Sequence, residues 1–125
     1  NPFFAIVSPS APYTTLNGAN VNASDIDLVS RLLFMLKMHK AYPVTGTVAT
    51  GAVARVKDSV VWDQLSEKAR GGEGLRIGHP SGIIPIEALA DSSDGHTQIK
   101  KLGVYRTARM IMEGQVYVRK EVFHV

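Results

Sequence analysis

Three neighbouring residues with small side chains, Thr45, Gly46 and Thr47, stand at a place in the sequence where an anion could bind. They lie between an apolar run at 41–44, which predicts a strand, and a segment of small residues at 48–56, which predicts a helix. The first turn of a helix has unpaired N–H groups and partial positive charge, so it favours a carboxylate or a phosphate. Capping of the helix by the threonines is the simpler interpretation of the same residues.

Two further groups of polar residues could act together with that turn. His39 and Lys40 precede it closely; the lysine could pair with an acidic ligand, and the histidine could form a hydrogen bond or transfer a proton. The turn at 78–82 adds His79 and Ser81, which could face the same cleft. Each pair has a structural alternative, because cations are favoured at helix C-termini and these residue types are common in turns.

Metal and nucleotide chemistry find little support in the sequence. The chain contains no cysteine, and its histidines lack the spacing of metal ligands. Gly46 and Gly51 have the spacing of a phosphate-binding loop, but Ala52 and Val53 stand where lysine and serine or threonine should follow. We therefore expect no metal and no bound nucleotide. The histidines are His39, His79, His96 and His124.

The composition is that of a single globular domain. Hydrophobic residues make up 45% and charged residues 20% of the 125 positions, which allows a real core and argues against disorder. The net charge of +3 comes from interleaved residues without a basic stripe, so we expect no nucleic-acid partner. The longest apolar run, at 32–36, is too short for a bilayer, so we expect no membrane partner. The absence of cysteine fits a reducing compartment, and we expect a cytoplasmic location. Because Asn1 is not a methionine and a core-like strand follows at once, we also expect a piece of a longer protein.

The predicted elements describe a mixed α+β domain. Ser24 and Asp27 have the spacing of a capping box, and apolar residues at near-helical spacing predict a helix over 25–38. The segment 48–56 has almost no polar side, so its helix should be buried nearly all round by a sheet. A buried strand is predicted at 3–7, a loop at 8–22, a short helical turn at 64–68, and extended segments at 41–44, 60–62, 75–78, 83–89, 97–105 and 116–122. Helices and strands in this order favour a mixed fold over repeated βαβ units.

Several short segments, taken in order, resemble the methylaconitate isomerase (PrpF-like) family. They include Gly-His-Pro-Ser-Gly at 78–82, Arg-Thr-Ala-Arg at 106–109, and Met-Glu-Gly at 112–114 followed by Val-Tyr-Val. Matching segments at 25–29 and 38–41 extend the resemblance over nearly the whole chain. The resemblance is to the C-terminal half of such enzymes, so residues 1–125 are predicted to form one domain of a two-domain isomerase.

The resemblance implies a diaminopimelate-epimerase-like fold, in which each half is a mixed, mostly antiparallel sheet curled around a buried central helix. Family members move a proton or a double bond in small unsaturated di- or tricarboxylates without a cofactor or metal, in a cleft between the halves. The principal catalytic cysteine and lysine belong to the N-terminal half, so no catalytic residue is assigned here. This half would bind the substrate carboxylate through Thr45, Gly46, Thr47, His39, Lys40, His79 and Ser81.

Partners and alternatives follow from the same resemblance. The chain alone should be inactive, and its partners should be a small carboxylate substrate and the missing N-terminal half. Exposed apolar surface would also allow a homodimer. Three alternatives stay open, namely an oxalomesaconate-type tautomerase, an amino-acid epimerase relative, and a non-catalytic binding module on the same fold.

Overall fold

A mixed, mostly antiparallel sheet forms the centre of the domain. The computed structural model describes residues 3–93 and 95–123, and the side chain of Phe123 is not described. The strands are β1 (Phe4–Pro9), β2 (Tyr13–Thr14), β3 (Asn20–Val21), β4 (Leu28–Phe34), β5 (Lys37–Met38), β6 (Gly74–His79), β7 (Gly82–Asp91) and β8 (Gln98–Val104). The main sheet has the order β1-β4-β6-β7-β8 with β5 paired to β4, and β2 and β3 form a separate hairpin. Only the β4–β6 pair is parallel in the main sheet, which confirms the predicted mixed sheet.

Three α-helices lie between β5 and β6 in the chain. They are α1 (Val44–Val53), α2 (Val60–Asp63) and α3 (Glu67–Arg70), and short 3-10 helices cover Ala23–Asp25 and Lys120–Phe123. Side chains from the helices and from the inner face of the sheet form one core, because alternate strand residues point to the same side. The buried members of this core are Leu28, Ala54, Val61, Leu65, Ala69, Leu75, Ile77 and Ile86.

Helix α1 packs against the sheet through its glycines. A Cβ atom on Gly46 would lie 2.5 Å from Leu32 Cδ1, and one on Gly51 would lie 2.5 Å from Ile86 Cδ1. A side chain at either position would therefore push the helix away from β4 or β7. The helix begins at Val44, and residues 45–47 lie in its first turn as predicted.

The predicted burial of this helix on nearly all sides is not confirmed. Its inner face is buried at Thr47, Thr50 and Gly51. On the outer side Val44 and Val53 remain about 40% exposed. The outer face is nevertheless apolar, and it has no polar residue other than Thr45.

The predicted helix over 25–38 is wrong. Most of this segment forms β4 and β5. The capping box is made two residues earlier than predicted, where the Asp25 carboxylate accepts a hydrogen bond from the Asn22 N–H at 3.3 Å. Leu28, Ser30 and Leu32 are buried with period 2, and β4 pairs along its length with β1. The apolar residues fitted both periods, and pairing with distant strands selected the strand.

Several smaller predictions also fail. Residues 41–44 are not a strand, because Pro43 caps α1; residues 60–62 begin helix α2; and the predicted loop at 8–22 contains the β2–β3 hairpin. The strand at 3–7 exists as β1, but it is an exposed edge strand. The strand at 116–122 is absent, since residues 105–119 form no regular element. The strands predicted at 75–78, 83–89 and 97–105 are confirmed as β6, β7 and β8.

Candidate functional site

The first turn of α1 lacks a side-chain cap. Pro43 occupies the N-cap position, where its side chain accepts no hydrogen bond from the N–H groups of the first turn. The first helical bond runs from the Thr47 N–H to the Pro43 carbonyl at 2.8 Å. The amides of Val44, Thr45 and Gly46 precede that bond, so the helix leaves them without an intrahelical acceptor. These donors and the helix dipole make the turn suitable for an anion.

The three predicted residues of this turn have different surroundings. Thr45 is exposed, so its hydroxyl is accessible beside the open amides. Gly46 is required by the close approach to Leu32. Thr47 is fully buried, and its hydroxyl donates to the Pro43 carbonyl at 3.0 Å. Of the three, only Thr45 presents an accessible polar side chain.

His39 and Lys40 lie at the end of the β4–β5 hairpin. The hairpin turns through Met35 and Leu36, both with left-handed backbones (φ 51° and 61°). The His39 N–H donates to the Leu32 carbonyl at 2.8 Å, which returns the chain towards the start of α1. A cavity of about 420 Å³ opens here, and it is lined by Phe34, Met35, Lys37, Met38, His39 and Lys40. Apolar walls with a few basic groups suit a small organic acid.

The turn between β6 and β7 brings the remaining predicted residues to the same place. His79 is 9% exposed, and its Nδ1 accepts a hydrogen bond from the Ser81 N–H at 3.3 Å. The Ser81 hydroxyl donates to the Lys40 carbonyl, so the two turns are in direct contact. The His79 ring centroid lies 6.4 Å from that of Tyr42, one residue before the helix cap. The structure therefore clusters His39, Lys40, His79 and Ser81 near the start of α1.

Two residues that were not identified from the sequence, Tyr13 and Arg31, contact backbone carbonyls of the turn between β6 and β7. The Tyr13 hydroxyl lies 2.9 Å from the His79 carbonyl oxygen and 2.6 Å from the Gly82 carbonyl oxygen. The guanidinium carbon of Arg31 sits 4.7 Å from the Tyr13 ring centroid, and its Nη1 donates to the Gly78 carbonyl at 3.2 Å. Neither was detectable, because Tyr13 fell in a predicted loop and Arg31 in the wrongly predicted helix.

A buried chain of hydroxyl groups fixes the start of α1 on the sheet. The Tyr42 hydroxyl lies 2.8 Å from Ser30 Oγ on β4 and 2.9 Å from Thr50 Oγ1 on α1. Ser30 in turn donates to the Ile6 carbonyl at 3.2 Å. Each hydroxyl can donate one bond and accept others, so the chain can be satisfied without a charged group.

The electrostatic bias of the site is positive. Burial lowers the pKa of His79, and the nearby charges of Arg31 and His39 lower this pKa further, so the ring is neutral at neutral pH. In the described part of the chain no carboxylate contacts either histidine ring, and the two ion pairs seen there, Arg76–Asp27 and Lys101–Glu87, involve neither residue. An acidic ligand would therefore meet cations and donors without an internal competitor.

Metal ligation has no candidate site in the residues that are described. Residues 3–93 and 95–123 contain no group of three or more His, Asp or Glu side chains placed to share an ion. His124, one of the four histidines considered from sequence, lies outside these residues. None of the helices in the same residues has the length and apolarity needed to cross a bilayer.

The fold is shared with an enzyme of known structure. The crystal structure of methylitaconate-delta-isomerase superposes with a TM-score of 0.78 at 39% identity, over 96% of this chain and 30% of that one. The mixed sheet and its helices therefore place the chain in the structural class of this isomerase. The profile of the family described as PrpF protein matches residues 1–119, and the chain belongs to this family.

Curated relatives agree with this assignment. The chain is 40% identical over 120 residues to 3-methylitaconate isomerase of Eubacterium barkeri and 38% identical over 124 residues to 2-methyl-aconitate isomerase of Cupriavidus necator. These matches cover 95% and 98% of this chain but only 30% of each relative. A more distant match, 26% over 107 residues, is 4-oxalomesaconate tautomerase of Pseudomonas putida, of which 27% is covered. The resemblance drawn from short motifs is confirmed, and the relatives act on small carboxylates.

Proposed function

We propose that the chain is the C-terminal domain of an isomerase that transfers a proton on small unsaturated di- or tricarboxylates such as 2-methylaconitate. Its part in the reaction is to bind a substrate carboxylate. The observation that carries the proposal is the uncapped first turn of α1, which lies near two histidine turns that are joined through Ser81 and Lys40. The names of the relatives support the substrate class.

The proposed chemistry is the movement of a double bond by loss and return of a proton beside a carboxylate. Removing that proton places negative charge on the carboxylate oxygens, and fixed donors that meet this charge lower the barrier. The amides of Thr45 and Gly46, the Thr45 hydroxyl and the Lys40 ammonium are the donors that this chain would supply. The base and the acid would come from the N-terminal half, and no cofactor or metal would take part.

Two exposed apolar surfaces support the proposal that a second domain packs against this one. Tyr105 and a set of apolar residues in the segment 105–118 expose between 51% and 93% of their surfaces. The set comprises Met110, Ile111, Met112, Val116, Tyr117 and Val118. The outer face of α1 is also apolar and partly exposed. Surfaces of this kind usually mark an interface, and the N-terminal half is the proposed occupant.

Activity measurements on two forms of the protein test the proposal. We expect the full-length protein to isomerise 2-methylaconitate or a related unsaturated acid, and residues 1–125 alone to show no isomerisation. Robust isomerisation by residues 1–125 would contradict the assigned role of this domain. Failure of the full-length protein on a panel of unsaturated di- and tricarboxylates would contradict the substrate class.

A tautomerase acting on an oxalomesaconate-like acid is the second candidate. The observation in its favour is the similarity to the Pseudomonas putida tautomerase, which is weaker than the similarity to the two isomerases. An amino-acid epimerase relative and a non-catalytic binding module have no comparable support. Turnover of keto–enol substrates in preference to methylaconitate would favour the tautomerase.

A further inference from the structure

We propose that His39 and His79 act as a matched pair of neutral hydrogen-bond donors, each offering its Nε2–H to a carboxylate of the ligand. Neither ring then serves as the base that accepts the substrate proton. The ligand class rests on the proposed function, whereas the donor state of the rings rests on the geometry of the two turns.

The two histidines close turns of the same design. The Nδ1 atom of His39 accepts a hydrogen bond from the Ala41 N–H at 3.1 Å, and the Nδ1 atom of His79 accepts one from the Ser81 N–H at 3.3 Å. In each turn the donor is the amide two residues after the histidine. A ring nitrogen that accepts a hydrogen bond carries no proton, so a neutral imidazole in this position is protonated at Nε2.

The two turns support each other. The Ser81 hydroxyl donates to the Lys40 carbonyl, which lies between His39 and the amide that this histidine binds. Ser81 therefore uses its N–H to orient one histidine and its hydroxyl to hold the turn of the other. On the far side, the Tyr13 hydroxyl lies within hydrogen-bonding distance of the His79 carbonyl oxygen. Both rings are thus positioned by backbone contacts, which would keep a pair of donors in fixed geometry.

The surroundings of His79 favour its neutral state. A proton on Nδ1 would point at the amide N–H that now donates to it, and the hydrogen bond would be lost. The cation Arg31 on β4 and the His39 ring oppose a charge on the His79 ring, and Tyr13 on β2 supplies no negative charge at neutral pH because burial raises its pKa. Within the described residues no carboxylate contacts either ring. The burial of His79 acts in the same direction because a charged ring loses water there.

A neutral donor pair has a chemical consequence for ligand binding. An Nε2–H group can only donate, so its natural partner is an acceptor such as a carboxylate oxygen. Recognition by a neutral Nε2–H donor does not require a protonated Nδ1, whereas recognition by imidazolium weakens about tenfold per pH unit above the histidine pKa. The reacting proton must then be removed by a group other than these rings.

Long-range proton–nitrogen NMR correlations on residues 1–125 with labelled histidine test the state of the rings directly. We expect His39 and His79 to show the Nε2–H tautomer at pH 7, and His79→Gln and His39→Gln variants assign the signals. A ring of either histidine found as the Nδ1–H tautomer or as a cation at pH 7 would overturn the proposal. No ligand is needed, so this result is independent of the proposed function.

Binding of mesaconate to the full-length protein tests the donor role. His79→Gln keeps an N–H donor near the Nε2 position, whereas His79→Asn keeps an acceptor for the Ser81 N–H and lacks the distal donor. We expect the dissociation constant to rise at least about tenfold in His79→Asn and less than about threefold in His79→Gln, since a hydrogen bond to a charged group is lost only in the former. His96→Asn is the matched control and should leave binding unchanged.

The outcomes separate the two proposals. If mesaconate binds equally well to the Asn and Gln variants, the donor role is wrong while the proposed function stands. If no unsaturated dicarboxylate binds to the unchanged protein, the proposed function fails, and the donor role fails with it even where NMR shows the Nε2–H tautomers.

Discussion

The two ends of α1 are built in opposite ways. At the C-terminal end the buried Arg55 guanidinium donates from Nε to the Ala88 carbonyl at 2.7 Å and from Nη1 to the Ala69 carbonyl at 2.8 Å. It also donates to the carbonyls of Arg70 and Gly74. At the N-terminal end no side chain caps the helix. The C-terminal end is held by several hydrogen bonds, whereas the N-terminal end has N–H groups without an acceptor. The first end therefore stabilises the fold, and the second is the part proposed to bind ligand.

The difference also appears in the charges at the two ends. No carboxylate among the described residues forms an ion pair with Arg55, and burial lowers the pKa of this guanidinium. Its charge is compensated by carbonyl dipoles of three chain segments, so it ties α1 to α3, β6 and β7. At the other end Arg31 lies half-buried on β4, and Lys40 is exposed in the segment after β5. The buried Arg55 cation stabilises the fold, whereas the accessible cations and N–H donors at the N-terminal end of α1 remain available to an anion.

Replacing Arg55 at the C-terminal end of α1 should have the largest effect on stability. Arg55→Met leaves several buried carbonyls without their donor, and we expect the free energy of unfolding to fall by about 3 kcal/mol or more, since each unsatisfied buried group costs about 1–3 kcal/mol. Urea denaturation of residues 1–125 measures the change. The exposed Arg106→Met variant is the control, and an equal loss in both variants would contradict the contrast.

Adding a methyl group at the open end should have a smaller effect. Gly46→Ala places a Cβ atom 2.5 Å from Leu32 Cδ1. We expect a loss of about 1–3 kcal/mol from overpacking, reduced by the better helix propensity of alanine. Thermal or urea unfolding measures the loss. The exposed Ala49→Gly exchange is the matched control for propensity, and a Gly46→Ala variant more stable than the parent would show that α1 does not need this close approach.

The buried histidine predicts a pH dependence of stability. The pKa of His79 is lower in the folded chain than its ordinary value of 6.5, so the unfolded chain binds more protons between these two values. The contribution of His79 is therefore complete above pH 6.5 and is lost as the pH falls towards the folded pKa, with a slope of at most about 1.4 kcal/mol per pH unit.

Unfolding at several pH values measures this contribution as the difference between the parent and His79→Gln. We expect the parent to lose more stability than the variant on acidification below pH 6.5. A parent that gains stability relative to His79→Gln in this range would show that the ring is stabilised as a cation.

The smallest effect on stability is expected at Thr45. Its side chain is exposed, so Thr45→Val should change the free energy of unfolding by less than about 0.5 kcal/mol. If its hydroxyl binds a carboxylate, the same exchange should weaken mesaconate binding to the full-length protein about tenfold, which corresponds to about 1.4 kcal/mol. Calorimetric titration measures the binding. Unchanged affinity would remove the Thr45 hydroxyl from the site and leave only the amides.

How far the sequence predicts the fold depends on the range of the interactions. Strands β6 to β8 were predictable, because apolar runs bounded by Gly, Pro and Asp mark neighbouring hairpin strands. Strand β4 was not, since Leu28 and Leu32 fit a helical stripe as well as a strand and the choice depends on pairing with β1 and β6. The exposed face of α1 was also missed, because its composition resembles that of a fully buried helix.

The candidate site was predictable in its residue types and less so in its arrangement. His39, Lys40, His79 and Ser81 were marked by their chemistry and by a family resemblance. Contact of their two turns through Ser81 and the Lys40 carbonyl depends on β4 and β6 lying side by side, which local patterns do not encode. Tyr13 and Arg31 carry no local signal at all, since they act through backbone carbonyls distant in sequence.

The most direct test of the account is a mesaconate titration of the isotopically labelled full-length protein, followed through its backbone amide signals. We predict that the amides of Thr45 and Gly46 and the ring signals of His39 and His79 shift together with one dissociation constant. The signals of Arg55, at the C-terminal end of α1, should not shift. Saturable shifts confined to other parts of the protein, with residues 45 and 46 unchanged, would contradict a carboxylate site at the open end of this helix.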